Sequence, residues 1–222
     1  MPLISVLVPF RGDGGHRDRA WSWCRRRLES ILTDFEVIPG RSSDGPFNPS
    51  AAVNDAASRA RCEVFIVHDA EIALPAEWYA EALRDLRTWT IPAGVRYLTE
   101  MSSAALLRQP PATAELPWDA PAEQEVEHCV GGVIVLTREM FEATGGKDER
   151  FGGWGPEDGA WATALDTLVG APRRFGGPMI HLWHPRPWDD RERPWPDGAG
   201  ELLGRYRAAE GNPEAMREVC AR

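Results

Sequence analysis

Residues 63–71 read Glu63-Val64-Phe65-Ile66-Val67-His68-Asp69-Ala70-Glu71, a short run of strand-forming apolar residues ending on two acids. Ile72-Ala73-Leu74-Pro75 follows, with proline closing the segment. An apolar run this short and continuous predicts a strand buried on both faces, as in a parallel sheet. Open α/β sheets bind ligands beyond the carboxyl ends of such strands. Acids at i and i+2 in that place supply the oxygen ligands that a hard divalent ion bridging to phosphate requires. The plainer reading of the tripeptide by itself is a solvated turn that carries two acids.

Working outward, strand and helix signals alternate. Leu3 to Val8 predicts a first strand stopped by Pro9, and Phe10 to His16 a loop. Trp21, Cys24, Leu28, Ile31 and Leu32 recur at helical spacing between Arg17 and Thr33. Phe35–Ile38 predicts a second strand, and Ser50 to Arg61 a helix capped by Ser50 or Asn48. This strand-helix-strand-helix-strand order argues for an α/β fold, a mostly parallel, Rossmann-like central sheet flanked by helices. Further on, Pro75 to Thr88 predicts a helix and Val95 to Leu98 a strand, whereas residues 109–127, rich in Pro, Ala and Glu, predict an irregular excursion. Order resumes with a strand at Gly131–Leu136, a helix opened by Thr137 through Ala143, and a helix from Glu157 to Leu168. A strand near Pro178 to Trp183, a Pro/Trp-rich covering loop and a helix over Glu201–Glu210 complete the prediction. The expected organisation is one domain, with residues 1–100 as a nucleotide-binding half, 101–185 as a second half of the same domain, and 186–222 as a loop and helix.

The bulk numbers restrict the function classes. At 222 residues, 43% hydrophobic and 27% charged, the chain suits a soluble globular domain with a sizeable core. A formal charge of -9 opposes broad attraction to nucleic acid or an anionic membrane. Arg25-Arg26-Arg27 and Arg173-Arg174 are the tight basic clusters, read as solvated faces. Cys24, Cys62, Cys129 and Cys220 lack the spacing of a zinc site or a disulfide framework, and no apolar run is long enough for a membrane span. The N-terminus reads as a strand, not a leader, so the expected compartment is the cytoplasm.

Two further constellations carry chemistry. In Phe151-Gly152-Gly153-Trp154-Gly155-Pro156-Glu157-Asp158, glycines around an indole allow close approach of the backbone to a ligand. Glu157 and Asp158 then open a helix, whose dipole favours ionised carboxylates, so one of them could take a proton from a sugar hydroxyl. In Met179-Ile180-His181-Leu182-Trp183-His184, the histidines could complete a metal shell begun by Asp69 and Glu71. In an extended segment, positions three apart point to opposite faces, so both imidazoles reach one ion only if the chain turns. Mixed carboxylate and imidazole ligands favour Mn²⁺ over Mg²⁺.

Taken together, these motifs resemble glycosyltransferases of the GT-A fold, in particular a bacterial group joining a family-two-type nucleotide-sugar half to a galactosyltransferase-like C-terminal half. The resemblance runs from Ile4 to Pro185. Val6-Leu7-Val8-Pro9-Phe10-Arg11 is similar to the opening strand and the loop that touches the uridine nucleotide. Phe47-Asn48, with Ser50-Ala51-Ala52 and Asn54, resembles a Phe-Asn-Arg segment in which Pro49 stands for the arginine. Asp69-Ala70-Glu71 occupies the Asp-x-Asp position, with glutamate as the second acid. Gly131-Gly132-Val133, Phe141 and Gly145-Gly146 resemble the block before the acceptor site, and Gly153-Trp154-Gly155-Pro156-Glu157-Asp158 resembles the Gly-Trp-Gly-x-Glu-Asp motif. The resemblance implies a UDP-sugar donor contacted by Pro9, Phe10, Arg11, Phe47, Asn48, Asp69, Gly132, Trp154 and Gly155. It also implies Mn²⁺ or Mg²⁺ held by Asp69, Glu71, His181 or His184, with Asp158 as base and Glu157 orienting the acceptor. The implied reaction is inverting transfer of a hexose to a hydroxyl on a glycan, a small molecule or a hydroxylated base in phage DNA. A glycan-binding module without catalysis and a nucleotidyltransferase are the competing readings. Trp188 and its neighbours could form a lid.

Overall fold

Ile4–Pro9 forms β1, His16–Ile31 forms α1, Phe35–Gly40 forms β2, Pro49–Arg59 forms α2 and Val64–His68 forms β3, in a computed structural model describing residues 3–43, 45–153, 155–185 and 195–221. β1 pairs in parallel with both β2 and β3, with Ile4 opposite Phe35 on one side and Val64 on the other. Val6, Leu7, Val8, Phe65 and Ile66 are fully shielded from water. Burial on both faces is why these strands read as unbroken apolar runs. α2 packs against β1 and β2. Its cap is Asn48, whose Oδ1 accepts the Ala51 N–H, and Pro49 supplies the first helical residue.

The chain continues as β4 (Ile72–Ala73), α3 (Ala76–Arg84), β5 (Thr90–Leu98), α4 (Glu100–Leu107), β6 (Ala122–Glu127), β7 (Val133–Thr137), α5 (Arg138–Ala143), α6 (Glu157–Leu168), β8 (Arg173–His181), α7 (Ala199–Ala208) and α8 (Pro213–Cys220). One sheet runs through the described residues in the order β2-β1-β3-β7-β5-β8-β4, with β6 on β5. β1, β2, β3, β5 and β8 share one direction, and β4, β6 and β7 oppose it. The expected α/β fold with a mostly parallel sheet is therefore what the chain adopts.

Several elements differ from expectation. The excursion at 109–127 ends as a strand: β6 lies along β5, with Arg96 paired to Glu125. Its sequence, Ala-Glu-Gln-Glu-Val-Glu, is half-buried to exposed throughout and so lacks the apolar face that announces a strand. β5 begins at Thr90, before the predicted Val95, because Pro92 and Gly94 flank a register shift and obscure the pattern. β8 likewise starts at Arg173 and runs through Gly176-Gly177. α4, capped by the Thr99 hydroxyl, and α8, capped by Asn212, were not predicted; α7 takes the place of the expected C-terminal helix.

The last residue of β3 ties this scaffold to the site. His68 is fully buried, with Nδ1 2.7 Å from the Asp69 carbonyl oxygen and Nε2 2.7 Å from the Tyr79 hydroxyl. A carbonyl only accepts, so Nδ1–H donates and Nε2 accepts from tyrosine. Burial pushes the imidazole down to about 4 from an ordinary 6.5. The unfolded chain therefore binds this proton first as pH falls, and stability declines below about pH 6.5. Between pH 7 and 5 the loss from this group should be about 2 kcal/mol. Urea unfolding of the wild type and His68→Asn at both pH values measures it. An equal pH dependence in the two proteins would show that His68 is not held neutral.

Candidate active site

β1, β2 and β3 point the same way, so Pro9, Gly40 and His68 end along one edge of the sheet. β7 enters antiparallel from that edge, and the Asp69 N–H donates to the Gly132 carbonyl at 2.8 Å. β8 arrives there too, with His181 opposite Ile72 of β4. The topology thus delivers the predicted acids and histidines to one edge from strands distant in sequence.

Glu71, His181 and His184 form a compact cluster, with one donor atom from each lying within 4.8 Å of the others. His184 Nε2 is 3.2 Å and His181 Nε2 4.0 Å from Glu71 Oε1. β8 ends at His181, so the following residues leave the extended path and both rings converge, 5.4 Å apart between centroids. The turn that strand geometry demanded is present. Each Nδ1 faces a backbone carbonyl oxygen, that of Leu182 for His181 and that of Pro185 for His184. That partner keeps Nδ1 protonated and turns Nε2 toward Glu71, the nitrogen a metal would take in place of its proton, as in metal-binding histidines. Glu71 Oε2 is buried and has no hydrogen-bond partner among the described residues. A buried carboxylate beside two imidazole Nε2 atoms fits a divalent cation.

Burial alone would raise the Glu71 pKa, but His184, Arg17 and His181 outweigh it and hold the carboxyl down at about 2. Arg17, from the first turn of α1, reaches Oε1 at 3.3 Å. Asp69 stands outside the three-residue cluster. Its pKa is pushed well up by burial, and then by the charges of Asp158 and Glu71. Asp69 thus feels the charge of Glu71 in the cluster and of Asp158 on α6.

At the start of α6, Glu157 and Asp158 differ in environment. Glu157 is 5% exposed, and its Oε2 accepts the Gly155 N–H at 2.8 Å. Burial, and next the charge of Asp158, raise it to about 7, so desolvation overrides the helix dipole that the sequence suggested would favour ionisation. Asp158 is more open, its side chain 36% exposed, and Oδ1 lies 2.5 Å from the Lys147 ammonium. A β-carbon at Gly131 would stand 2.0 Å from Asp158 Oδ2, so this glycine lets the carboxylate lie against the backbone. Gly132 has φ +92 and abuts the Met179 side chain, which only glycine accommodates without strain.

Lys147 escaped the sequence reading. It follows Gly145-Gly146, where the glycines drew attention and a single lysine gave no periodic or motif signal. Its side chain is only 5% exposed, and buried lysines are rare unless paired.

At the other end of the edge, Arg11 organises the 41–48 loop. Its guanidinium donates to the Gly45 and Ser43 carbonyls and to the Ser42 hydroxyl, and lies 5.3 Å above the Phe47 ring. Phe10 packs on Trp21. Asn48 also donates to the Glu149 carbonyl at 2.8 Å, joining α2 to the segment before the acidic motif. Trp154 and Trp188 lie outside the described residues. An apolar cavity of about 530 Å³, lined by Leu74, Trp78, Trp118 and Phe175 with Glu77, Glu81 and Glu125, is separate from Asp69, Glu71, Lys147, Glu157, Asp158 and the two histidines.

A family model for the N-terminal domain of galactosyltransferase matches residues 119–165, which include Gly131, Lys147, Glu157 and Asp158. The catalytic domain of Drosophila β-1,4-galactosyltransferase 7, solved with xylobiose, is similar in structure at 14% identity, covering 92% of this chain and 80% of that one with a TM-score of 0.57. A mutant of the Drosophila enzyme, solved with manganese, UDP-galactose and xylobiose, is similar at 13% identity, covering 86% and 79% with a TM-score of 0.51. No curated protein matches in sequence. The chain has the GT-A fold of these structures, and the galactosyltransferase domain model matches across its acidic motif.

Proposed function

We propose that this protein is a metal-dependent, inverting glycosyltransferase that moves a hexose from a UDP-sugar to an acceptor hydroxyl. The observation that carries the reading is the sharing of one sheet edge by the Glu71–His181–His184 cluster and the Asp69–Glu157–Asp158 acids. The family match over the acidic motif and the GT-A fold support it. The donors that suit the reading are UDP-galactose, UDP-glucose and UDP-N-acetylhexosamine. A related fold holds manganese and UDP-galactose.

Glu71, His181 and His184 would hold the cation, Mn²⁺ before Mg²⁺, with Asp69 beside the donor. A bound cation offsets the charge that develops on the departing diphosphate. Asp158, the more exposed acid, would accept the acceptor hydroxyl's proton as its oxygen bonds to the anomeric carbon. The bond from that carbon to the diphosphate oxygen breaks on the opposite side, which inverts the centre. Glu157, protonated for part of the time near neutral pH, can donate a hydrogen bond to the acceptor. Pro9, Phe10, Arg11, Phe47, Asn48, Gly132, Trp154 and Gly155 would line the donor side. The acceptor is a glycan or small-molecule hydroxyl; the charge of -9 makes a nucleic acid the less suited substrate. Among the described residues no helix is long and apolar enough to cross a membrane. The four buried cysteines fit the reducing cytoplasm.

A nucleotide-release screen over UDP-galactose, UDP-glucose and UDP-N-acetylglucosamine, with Mn²⁺ or with EDTA, tests the reading. The expected result is Mn²⁺-dependent release from one donor, stimulated by a hydroxylated acceptor such as xylobiose. Donor binding without release under every condition would identify a binding module instead.

A further inference from the structure

We infer that Lys147 is a positioning residue for the Asp158 carboxylate, tethering one oxygen so that the other is aimed at the acceptor. The inference rests on the proposed transferase reading. Lys147 Nζ reaches Asp158 Oδ1 at 2.5 Å, and Oδ2 lies against Gly131, where even a methyl group would stand 2.0 Å away. The carboxylate is therefore fixed from two sides.

Lys147 is itself held at both ends. Its backbone N–H donates to Asn54 Oδ1 at 2.9 Å, and its carbonyl accepts from Asn54 Nδ2 at 2.8 Å. Asn54 belongs to α2, so the base of the lysine is pinned to the nucleotide-binding half. The ammonium lies 5.4 Å from the Trp161 ring centre, and the Trp161 indole donates to the Thr144 hydroxyl at 3.0 Å. A lysine so confined has little rotamer freedom left to lose on pairing. The carboxyls of Asp69 and Glu157 also bear on this place. Without a local cation, a carboxylate this exposed would turn toward water. Lys147 is thus a fixed counter-charge that opposes that rotation.

An ordinary buried ion pair would contribute to folding alone, so the test must read orientation and catalysis separately. The wild type, Lys147→Met, Lys147→Arg and Gly131→Ala are compared. Crystal structures in one crystal form report the Asp158 rotamer. The expected result is a turned carboxylate in Lys147→Met and Gly131→Ala, and a retained one in Lys147→Arg. With the donor selected by nucleotide release, kcat should fall by about 10²-fold in Lys147→Met. Donor KM should stay within about threefold, and Lys147→Arg should recover most of the rate. Gly131→Ala, which keeps the lysine, should lower kcat similarly; it decides the matter if Lys147→Met does not fold. A native Asp158 rotamer in Lys147→Met, or a kcat within about threefold of wild type, overturns the inference. If no donor is turned over, the proposed function fails, whereas the rotamer comparison still decides whether Lys147 positions Asp158.

Discussion

Asp158→Asn is expected to lower sugar transfer by about 10²–10⁴-fold, the usual cost of losing a well-placed general base. The substitution keeps shape and one oxygen for Lys147, but removes the lone pair that would take the acceptor proton. Donor binding should change little, because Asp158 lies outside the Glu71–His181–His184 cluster. The effect should therefore appear in kcat, with donor KM nearly constant. Initial rates at saturating donor and Mn²⁺ measure it, and thermal melting of the variant separates chemistry from folding. Transfer at the wild-type rate would remove Asp158 from the role of base and leave Glu157 as the acid to test next.

Loss of the cation is the second large effect. Glu71→Gln replaces the one carboxylate that meets both imidazoles, and His181→Ala and His184→Ala each remove a nitrogen ligand. Even an outer partner of a metal ligand is worth about 10–100-fold in affinity, so each substitution should weaken Mn²⁺ binding at least that much. Mn²⁺ titration followed by electron paramagnetic resonance reads this without any sugar donor. The pH dependence has a definite sign. Glu71, held at about 2, stays ionised throughout the working range. Metal binding displaces protons from its ligands, so Mn²⁺ affinity should fall in acid. Tight Mn²⁺ binding in Glu71→Gln would place the cation elsewhere.

How much of this was legible varied by element. α6 begins at Glu157 and ends at Leu168, as periodicity predicted, because a run of small and apolar residues follows two acids in the first turn. β6 was illegible since its residues are half-buried to exposed and present no apolar face. The predicted metal shell named Asp69, Glu71 and either histidine. The structure groups Glu71 with both histidines and leaves Asp69 outside that group, under the charge of Asp158 and Glu71. Lys147 left no trace in the sequence, since its meaning comes from contact with Asp158, eleven positions later, and with Asn54 on another helix.

Local chemistry along the chain was enough to specify the parallel β1–β3 section, the acids at its edge and the helix that opens on Glu157. Those signals are short-range: apolar runs, caps and helical spacing are written into neighbouring residues. Which side chains meet is a different question, settled by the antiparallel entry of β7, the turn after His181 and the latch from α2 to residue 147. Only the tertiary structure decided that two imidazoles share one carboxylate and that a buried ammonium holds Asp158. Burial and through-space charge, which act between residues far apart in the chain, set those pairings.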